Sequence, residues 1–329
     1  MYAVGTKAVA VAHRAPLLIA FAMACIAWSS VASAQETRRH GMTGGSYYGL
    51  QAFGGIMEWL EQGKYGMPSL PGHVNPLVTG AVVWDLNPGG AFEARPTQEF
   101  GVAAMKAARS GPVARGNVGA GAGAGTRALG GLALKGGVGT ASAVFGGISV
   151  GVIAVVNAAG TPVNLQDCSL RGTFINVQNE FASYRRPSKT DCDALKKARN
   201  IPVSSSGSDT YRFTVASADA DNGSGRHANT TLSVVATNAV LTKAQAYQLA
   251  LAVNTGNAAV IQPFNTGDDG DAVFAMAMKK DDIDNDRFET MLTVAKEVAG
   301  RSIAHAMLKA TSARTLQSYC DALPSACRP

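Results

Sequence analysis

Apolar positions along the chain switch between a helical period and a strand period, and the order of the switches outlines a fold. Leu50, Phe53, Ile56, Met57, Trp59 and Leu60 follow helical spacing until Gly63 stops the pattern. Residues 64–76 carry Pro68, Pro71 and Pro76 and read as loop, and Leu77–Leu86 reads as a buried strand ending in the turn Asn87-Pro-Gly-Gly. A second helix is expected over Thr97–Ser110. The apolar run Ala141–Ala159 is rich in β-branched residues and interrupted by Gly146, Gly147, Gly151 and Asn157, which predicts a buried strand, strongest over Ile148–Asn157, and not a membrane span. Further elements follow as a strand at Leu232–Ala236, a helix at Lys243–Val253, a strand at Ala272–Met278 and an amphipathic helix at Phe288–Leu308. Helices on both sides of strands imply a single-domain layered α/β sandwich.

Three stretches stand outside that pattern. Lys7 and Arg14 precede an apolar run from Leu17 to Trp28, and Val31-Ala-Ser-Ala34 then gives small residues before Gln35. This is the anatomy of a secretory signal, so residues 1–34 are expected to be removed and the protein exported, to the periplasm or beyond. Cys25 follows Ala22-Met23-Ala24, a poor lipobox, which favours soluble export over a lipid anchor, and residues 35–45 read as a flexible leader. Residues 116–125 (GNVGAGAGAG) and 135–142 (KGGVGTAS) are dense in glycine, which permits close backbone approach; the flanking apolar strands favour an ordered loop over a linker. Residues 163–228 turn polar and serine-rich and read as an exposed excursion.

Charge and cysteine content narrow the chemistry. The net charge of +6 is spread without a dense Lys/Arg run or interleaved aromatics, so nucleic acid is not an expected partner. Cys168, Cys192, Cys320 and Cys327 remain after the signal, an even set in an oxidising compartment, with Cys168–Cys192 and Cys320–Cys327 as the expected disulfides. His40, His73, His227 and His305 form no HxxxH and the cysteines no CxxC, so a zinc site is not supported and no cofactor is expected. Gly147-Ile-Ser149-Val-Gly151 matches a serine-hydrolase elbow in letters only, because the strand follows the serine instead of preceding it. Asp282-Ile-Asp284-Asn-Asp286 lacks the glycine and glutamate of a calcium loop and suits the start of the last helix. No GxxxxGK[ST] is present.

Ala228-Asn229-Thr230-Thr-Leu-Ser-Val-Val-Ala-Thr237 is where a polar loop becomes a buried strand at a pair of hydroxyl residues. Threonine is an ordinary strand residue. If the bond before it is cut, its free α-amine, with a pKa of about 7.7–8.0, can take the hydroxyl proton and make a nucleophile without histidine.

With Gly45-Ser-Tyr-Tyr-Gly-Leu50, Met57-Glu-Trp-Leu60, Leu77–Leu86, Gly116-Asn-Val-Gly-Ala-Gly, Lys135-Gly-Gly, Val156-Asn157-Ala, Asn229-Thr230-Thr and Asp269-Gly-Asp271 in this order, the chain resembles the DmpA-type aminopeptidases and nylon-oligomer hydrolases. The resemblance implies an N-terminal-nucleophile-hydrolase-like αββα sandwich, one domain made of two self-cleaved chains, about Gln35–Asn229 and Thr230–Pro329. It places self-cleavage at Asn229-Thr230 and makes Thr230 the nucleophile, with Thr231 the alternative one residue away. By the same resemblance, Lys135 lies near Thr230 as a cation, Asn157 donates to the oxyanion, and Asp269 and Asp271 orient the nucleophile or assist the cut. Two bland readings stand beside these roles: a surface lysine for Lys135 and a polar turn for the two aspartates. The implied activity is hydrolysis of short peptides or small amides, β- or ω-amino acid oligomers among them, through an acyl-Thr230 intermediate in a homotetramer. Alternatives are acyl transfer of the ornithine acetyltransferase type, or a self-cleaving secreted binding protein without turnover. The 163–228 excursion is longer than expected, and residues 236–241 (ATNAVL) stand where such proteins carry an ATDAPL-like sequence.

Overall fold

Two sheets lie face to face in the computed structural model, which describes residues 20–22, 25–27, 38–86, 92–109, 111–126, 132–199, 229–267 and 269–327. The first sheet has the order β1-β2-β3-β6, from β1 (Ala20–Ala22), β2 (Cys25–Ala27), β3 (Arg38–Thr43) and β6 (Leu77–Val82), with β3 and β6 parallel. A small pair, β4 (Met67–Pro68) and β5 (Val74–Asn75), sits in the loop between them. The second sheet has the order β10-β9-β8-β7, from β7 (Val138–Phe145), β8 (Ile148–Val155), β9 (Leu232–Ala239) and β10 (Ala272–Asp281); β9 and β10 run parallel and the other pairs antiparallel.

Side-chain alternation explains the layers, because successive residues of a strand face opposite ways. On β8, Val150 and Val152 pack under α4 (Lys243–Val260) and α5 (Asn285–Lys309), whereas Ile153 and Val155 meet Met42 and Val83 of the first sheet. On β10, Ala275 and Ala277 face the helices and Met276 and Met278 face the opposing sheet. Each buried valine, isoleucine or methionine side chain contributes about 1.5–3 kcal/mol relative to exposure. Outside the first sheet, α1 (Gln51–Gln62) and α2 (Gln98–Ala107) bury Ile56, Leu60 and Met105 against each other and against Val78. The order is therefore helix, sheet, sheet, helix, the expected αββα sandwich.

Local signals set the helix ends. Thr242 and Gln245 form a reciprocal capping box at α4, and Asp284 caps α5 by accepting the Arg287 amide, the role read for the 282–286 acids. Helix α4 runs beyond Val253 to Val260 through Asn254-Thr-Gly-Asn257, because Gly256 lets it close on the Lys296 backbone of α5 and Asn257 donates to Ser233 Oγ at 3.0 Å.

Three readings of the sequence need correction. Residues 38–43 are not part of a flexible leader: β3 pairs in register with β6 and buries Met42 completely, which the sequence hides because Arg38-Arg-His-Gly41 and Thr43 flank a single apolar residue. The Ala141–Ala159 run is a hairpin and not one strand, with β7 beginning inside the glycine-rich KGGVGTAS segment and turning through Gly146 and Gly147, both at positive φ. The described part of the excursion, residues 163–199, is not an exposed appendage; it buries Val163, Leu170, Phe181 and Leu195 against the C-terminal half of α5 and carries α3 (Lys189–Ala198). Glu180 there receives both Arg301 and His305 of α5. The disulfides pair Cys168 with Cys192 and Cys320 with Cys327, the latter spanning α6 (Tyr319–Ala322). Residues 200–228 and most of the signal segment lie outside the described residues. Among the described residues no helix is long and apolar enough to cross a membrane.

Candidate active site

The parallel pairing of β9 with β10 builds the site. Leu232 stands opposite Ala272, and three residues earlier Asn229 bridges Asp269, so Asn229-Thr230-Thr231 lies beside Asp269-Gly270-Asp271. All three residues of the first triplet are buried. The Asn229 carbonyl oxygen accepts the Thr230 hydroxyl at 2.5 Å and the Gly270 amide at 2.8 Å. The Thr230 amide donates to the Asn157 carbonyl at 2.8 Å. The Thr231 amide donates to Asp271 Oδ1 at 2.6 Å, and the Asn265 amide to Asp271 Oδ2 at 3.0 Å.

The two carboxylates are therefore unequal. Asp271 is fixed by two amides, which partly offset the upward push that burial gives its pKa. Both oxygens of Asp269 are shielded from solvent, and the Ala159 and Gly270 amides offset that burial only in part. Burial first, and then the neighbouring Asp271 charge, push Asp269 up to about 7. A carboxyl group with a pKa near neutrality therefore stands in the segment that pairs with Asn229-Thr230.

Asn157 follows the end of β8, where the strand leaves the sheet. Its side-chain oxygen accepts the Gly125 amide at 3.0 Å and its side-chain nitrogen donates to Trp84 O at 2.9 Å, so the amide is locked in one orientation. Lys135 is buried and donates to the carbonyls of Gly121, Ala124 and Gly136 at 2.6, 2.7 and 2.8 Å. Three acceptors fill the donor set of an ammonium group. Burial, with the Arg314 charge, lowers its pKa to about 7, and Asp85 opposes the shift.

The sequence profile of peptidase family S58 matches residues 40–319. The chain belongs to this family. It is 39% identical over 237 residues to a protein of Mycobacterium tuberculosis named an uncharacterized aminopeptidase, a match covering 72% of this chain and 60% of that one. It is 27% identical over 253 residues to the 6-aminohexanoate-oligomer endohydrolase of Paenarthrobacter ureafaciens, covering 74% of this chain and 61% of the relative. The chain thus spans about three fifths of the length of these relatives. Its fold is similar to that of the L-aminopeptidase D-Ala-esterase/amidase of Ochrobactrum anthropi, described as a variant of the Ntn hydrolase fold, with TM-score 0.50 and 18% identity over 80% of this chain and 64% of that one.

In this S58 chain hydrogen bonds join Thr230 to Asn229 and to Asn157, Asp271 holds the adjoining Thr231 amide, the β-bridge sets Asp269 beside Asn229, and Lys135 joins indirectly. None of the three Lys135 hydrogen bonds goes to Thr230. Instead Lys135 holds the carbonyl of the Ala124–Gly125 peptide, whose N–H binds the Asn157 side chain. A cation on one end of a peptide strengthens the donor at its other end. The surface reading of Lys135 is thereby excluded.

Residues unassigned from sequence also shape the site. Asp85 is buried against Gly44 and Gly123, accepts the Gly45 amide at 2.6 Å and has its pKa raised chiefly by burial. Arg314 donates to the Asp85 carbonyl at 3.2 Å. The available signal was a lone carboxylate inside the apolar run Leu77–Leu86. Gly270 carried no signal except its place between two acids. Among the described residues no group of three His, Cys, Asp or Glu is placed to hold a metal.

Proposed function

We propose that the protein is an exported amide hydrolase that cuts its own Asn229–Thr230 bond and then uses Thr230, as an N-terminal residue, to hydrolyse short peptides or small amides. The observation that carries the reading is the Thr230 hydroxyl lying 2.5 Å from the carbonyl oxygen of the bond to be cut, in a buried site where Asn229 bridges Asp269. Membership of a peptidase family and the names of the relatives support hydrolysis of amides.

In the first reaction the hydroxyl attacks the Asn229 carbonyl carbon and the chain passes to an ester on Thr230, which water then cleaves. Asp269, near neutrality, takes the hydroxyl proton and returns it to the departing nitrogen, while Asp271 holds the Thr231 amide so that the strand stays in place. The Asn157 carbonyl keeps the nitrogen of Thr230 at the site before and after the cut.

In the second reaction the freed α-amine relays the hydroxyl proton, and the substrate acyl group passes to Thr230 before water releases it. The Asn157 side-chain nitrogen, whose present acceptor is a backbone carbonyl, is the donor for the substrate oxyanion. Amides with a free amino end, β- and ω-amino acid oligomers among them, are the proposed substrates, and a homotetramer the proposed assembly. Release of p-nitroaniline from small aminoacyl p-nitroanilides tests the reading: wild type turns over and Thr230→Ala does not. Equal rates for the two proteins would refute it.

A further inference from the structure

The N–H of Gly270 points at the oxygen of the carbonyl that self-cleavage must attack, 2.8 Å away. We propose that this amide is the oxyanion donor for self-cleavage, a catalytic group separate from the Asn157 side chain; the proposal rests on the self-cleavage reading given above.

The donor is fixed before reaction begins. On one side the Asp269 amide is tied to Thr266 O at 3.0 Å, and on the other the Ala272 amide continues the ladder to Thr231 O at 3.1 Å. A dipole held by a sheet requires no reorientation as charge develops, which is the condition under which a single donor is most effective. The Asn157 side chain makes no hydrogen bond to this oxygen: its nitrogen donates to Trp84 O and its oxygen accepts the Gly125 amide.

The identity of the residue fits the same role. A Cβ at position 270 would stand 2.7 Å from Thr230 Oγ1 and 3.5 Å from Asn229 O. Gly270 is absent from the residues with left-handed φ, so space and not backbone conformation explains the glycine. The bare Cα leaves the nucleophile room to move from the carbonyl oxygen to the carbonyl carbon.

The step balances as follows. Thr230 Oγ1 bonds to the Asn229 carbonyl carbon, the π pair moves onto the oxygen, and the hydroxyl proton passes to the Asp269 carboxylate. The negative charge stays on that oxygen, where the Gly270 N–H already donates and stabilises it. As the pair collapses back, the C–N bond breaks, its electrons go to the Thr230 nitrogen, and that nitrogen receives the proton. Water then hydrolyses the ester, leaving an Asn229 carboxylate, a free Thr230 hydroxyl and an amine.

The test replaces the Asp269–Gly270 amide by an ester, through glycolic acid incorporated at position 270 during cell-free synthesis of the full chain. Removing one such donor is expected to slow conversion of precursor into two chains by about 10²–10³-fold. A folded ester-bearing chain that processes within about threefold of wild type overturns the proposal, since a lost oxyanion donor costs far more. A second measurement needs no ester: in the Thr230→Ala precursor, a 13C-labelled Asn229 carbonyl is expected to absorb in the infrared at the frequency of a hydrogen-bonded amide. A band at the position of an unbonded carbonyl overturns the proposal. Wild type that never cleaves at all sinks the self-cleavage reading itself, a result distinct from cleavage that ignores the ester.

Discussion

The Asn157 carbonyl accepts the Thr230 amide at 2.8 Å while the Asn157 side chain is clamped between the Gly125 amide and the Trp84 carbonyl. One residue thereby ties the end of β8, the glycine loop and the segment that follows β6 to the start of β9.

Asn157→Ala should separate the two functions of this residue. Its backbone carbonyl remains for Thr230, so self-cleavage is expected to continue, whereas amide hydrolysis should fall by about 10²–10³-fold through loss of an oxyanion donor. Leaving the Gly125 amide and the Trp84 carbonyl without partners should also cost about 1–3 kcal/mol for each group, read by denaturant unfolding. Equal losses in the two reactions would contradict the separation.

Asp269 gives a pH signature whose sign is fixed by its raised pKa. The folded group holds a proton up to about 7 that the unfolded chain gives up near 3.8. Its stabilising contribution is therefore complete below the unfolded value and is lost as pH rises through about 7. In the uncleavable Thr230→Ala background, thermal stability should fall between those limits, and Asp269→Asn should flatten that part of the curve. Asp269→Asn in the otherwise wild-type chain should slow self-cleavage by about 10²–10⁴-fold, the range for a lost general base.

Lys135→Met keeps the length of the side chain and removes the donor from three buried carbonyls. Each carbonyl left without a partner is expected to cost about 1–3 kcal/mol, although the Ala124 oxygen still receives the Gly136 amide. Substrate hydrolysis should fall as well, because the Ala124–Gly125 peptide loses its polarising cation. A variant with wild-type melting behaviour and reduced turnover would instead assign Lys135 to direct contact with substrate.

Cys168→Ser opens a disulfide that closes a 24-residue separation and ties α3 to the start of the excursion, which packs on α5. The expected loss is about 2–5 kcal/mol of stability, seen as a lower denaturation midpoint that reducing agent no longer changes at this bridge. Retention of the full midpoint would show that Glu180, Arg301 and the apolar contacts hold the excursion by themselves.

Elements with a clean period were legible from the chain: α1, α2 and α5 by helical spacing, β6, β9 and β10 by their apolar runs. β3 was not, since Met42 is its one apolar anchor and its register comes from β6, far along the chain. Helix α3 was hidden by the polar run Lys189-Thr-Asp-Cys-Asp193, although it caps at Ser188 and buries Leu195. At the site, the resemblance carried Thr230, Asn157, Asp269 and Asp271, and the parallel register of β9 and β10 supplies the physical reason three of them meet. Lys135 was singled out by the resemblance alone, and its attachment to the Ala124–Gly125 peptide depends on a loop fold that spacing does not encode. Gly270 and Asp85 act through backbone position and burial, which leave little trace in residue type.

N-terminal sequencing of the chains separated on a denaturing gel, wild type beside Thr230→Ala, tests the central claim most directly. The expected result is a wild-type fragment that begins Thr230-Thr-Leu-Ser and a Thr230→Ala chain left uncut at that bond. A wild-type chain intact across Asn229–Thr230, or a fragment that begins at Thr231, would contradict it.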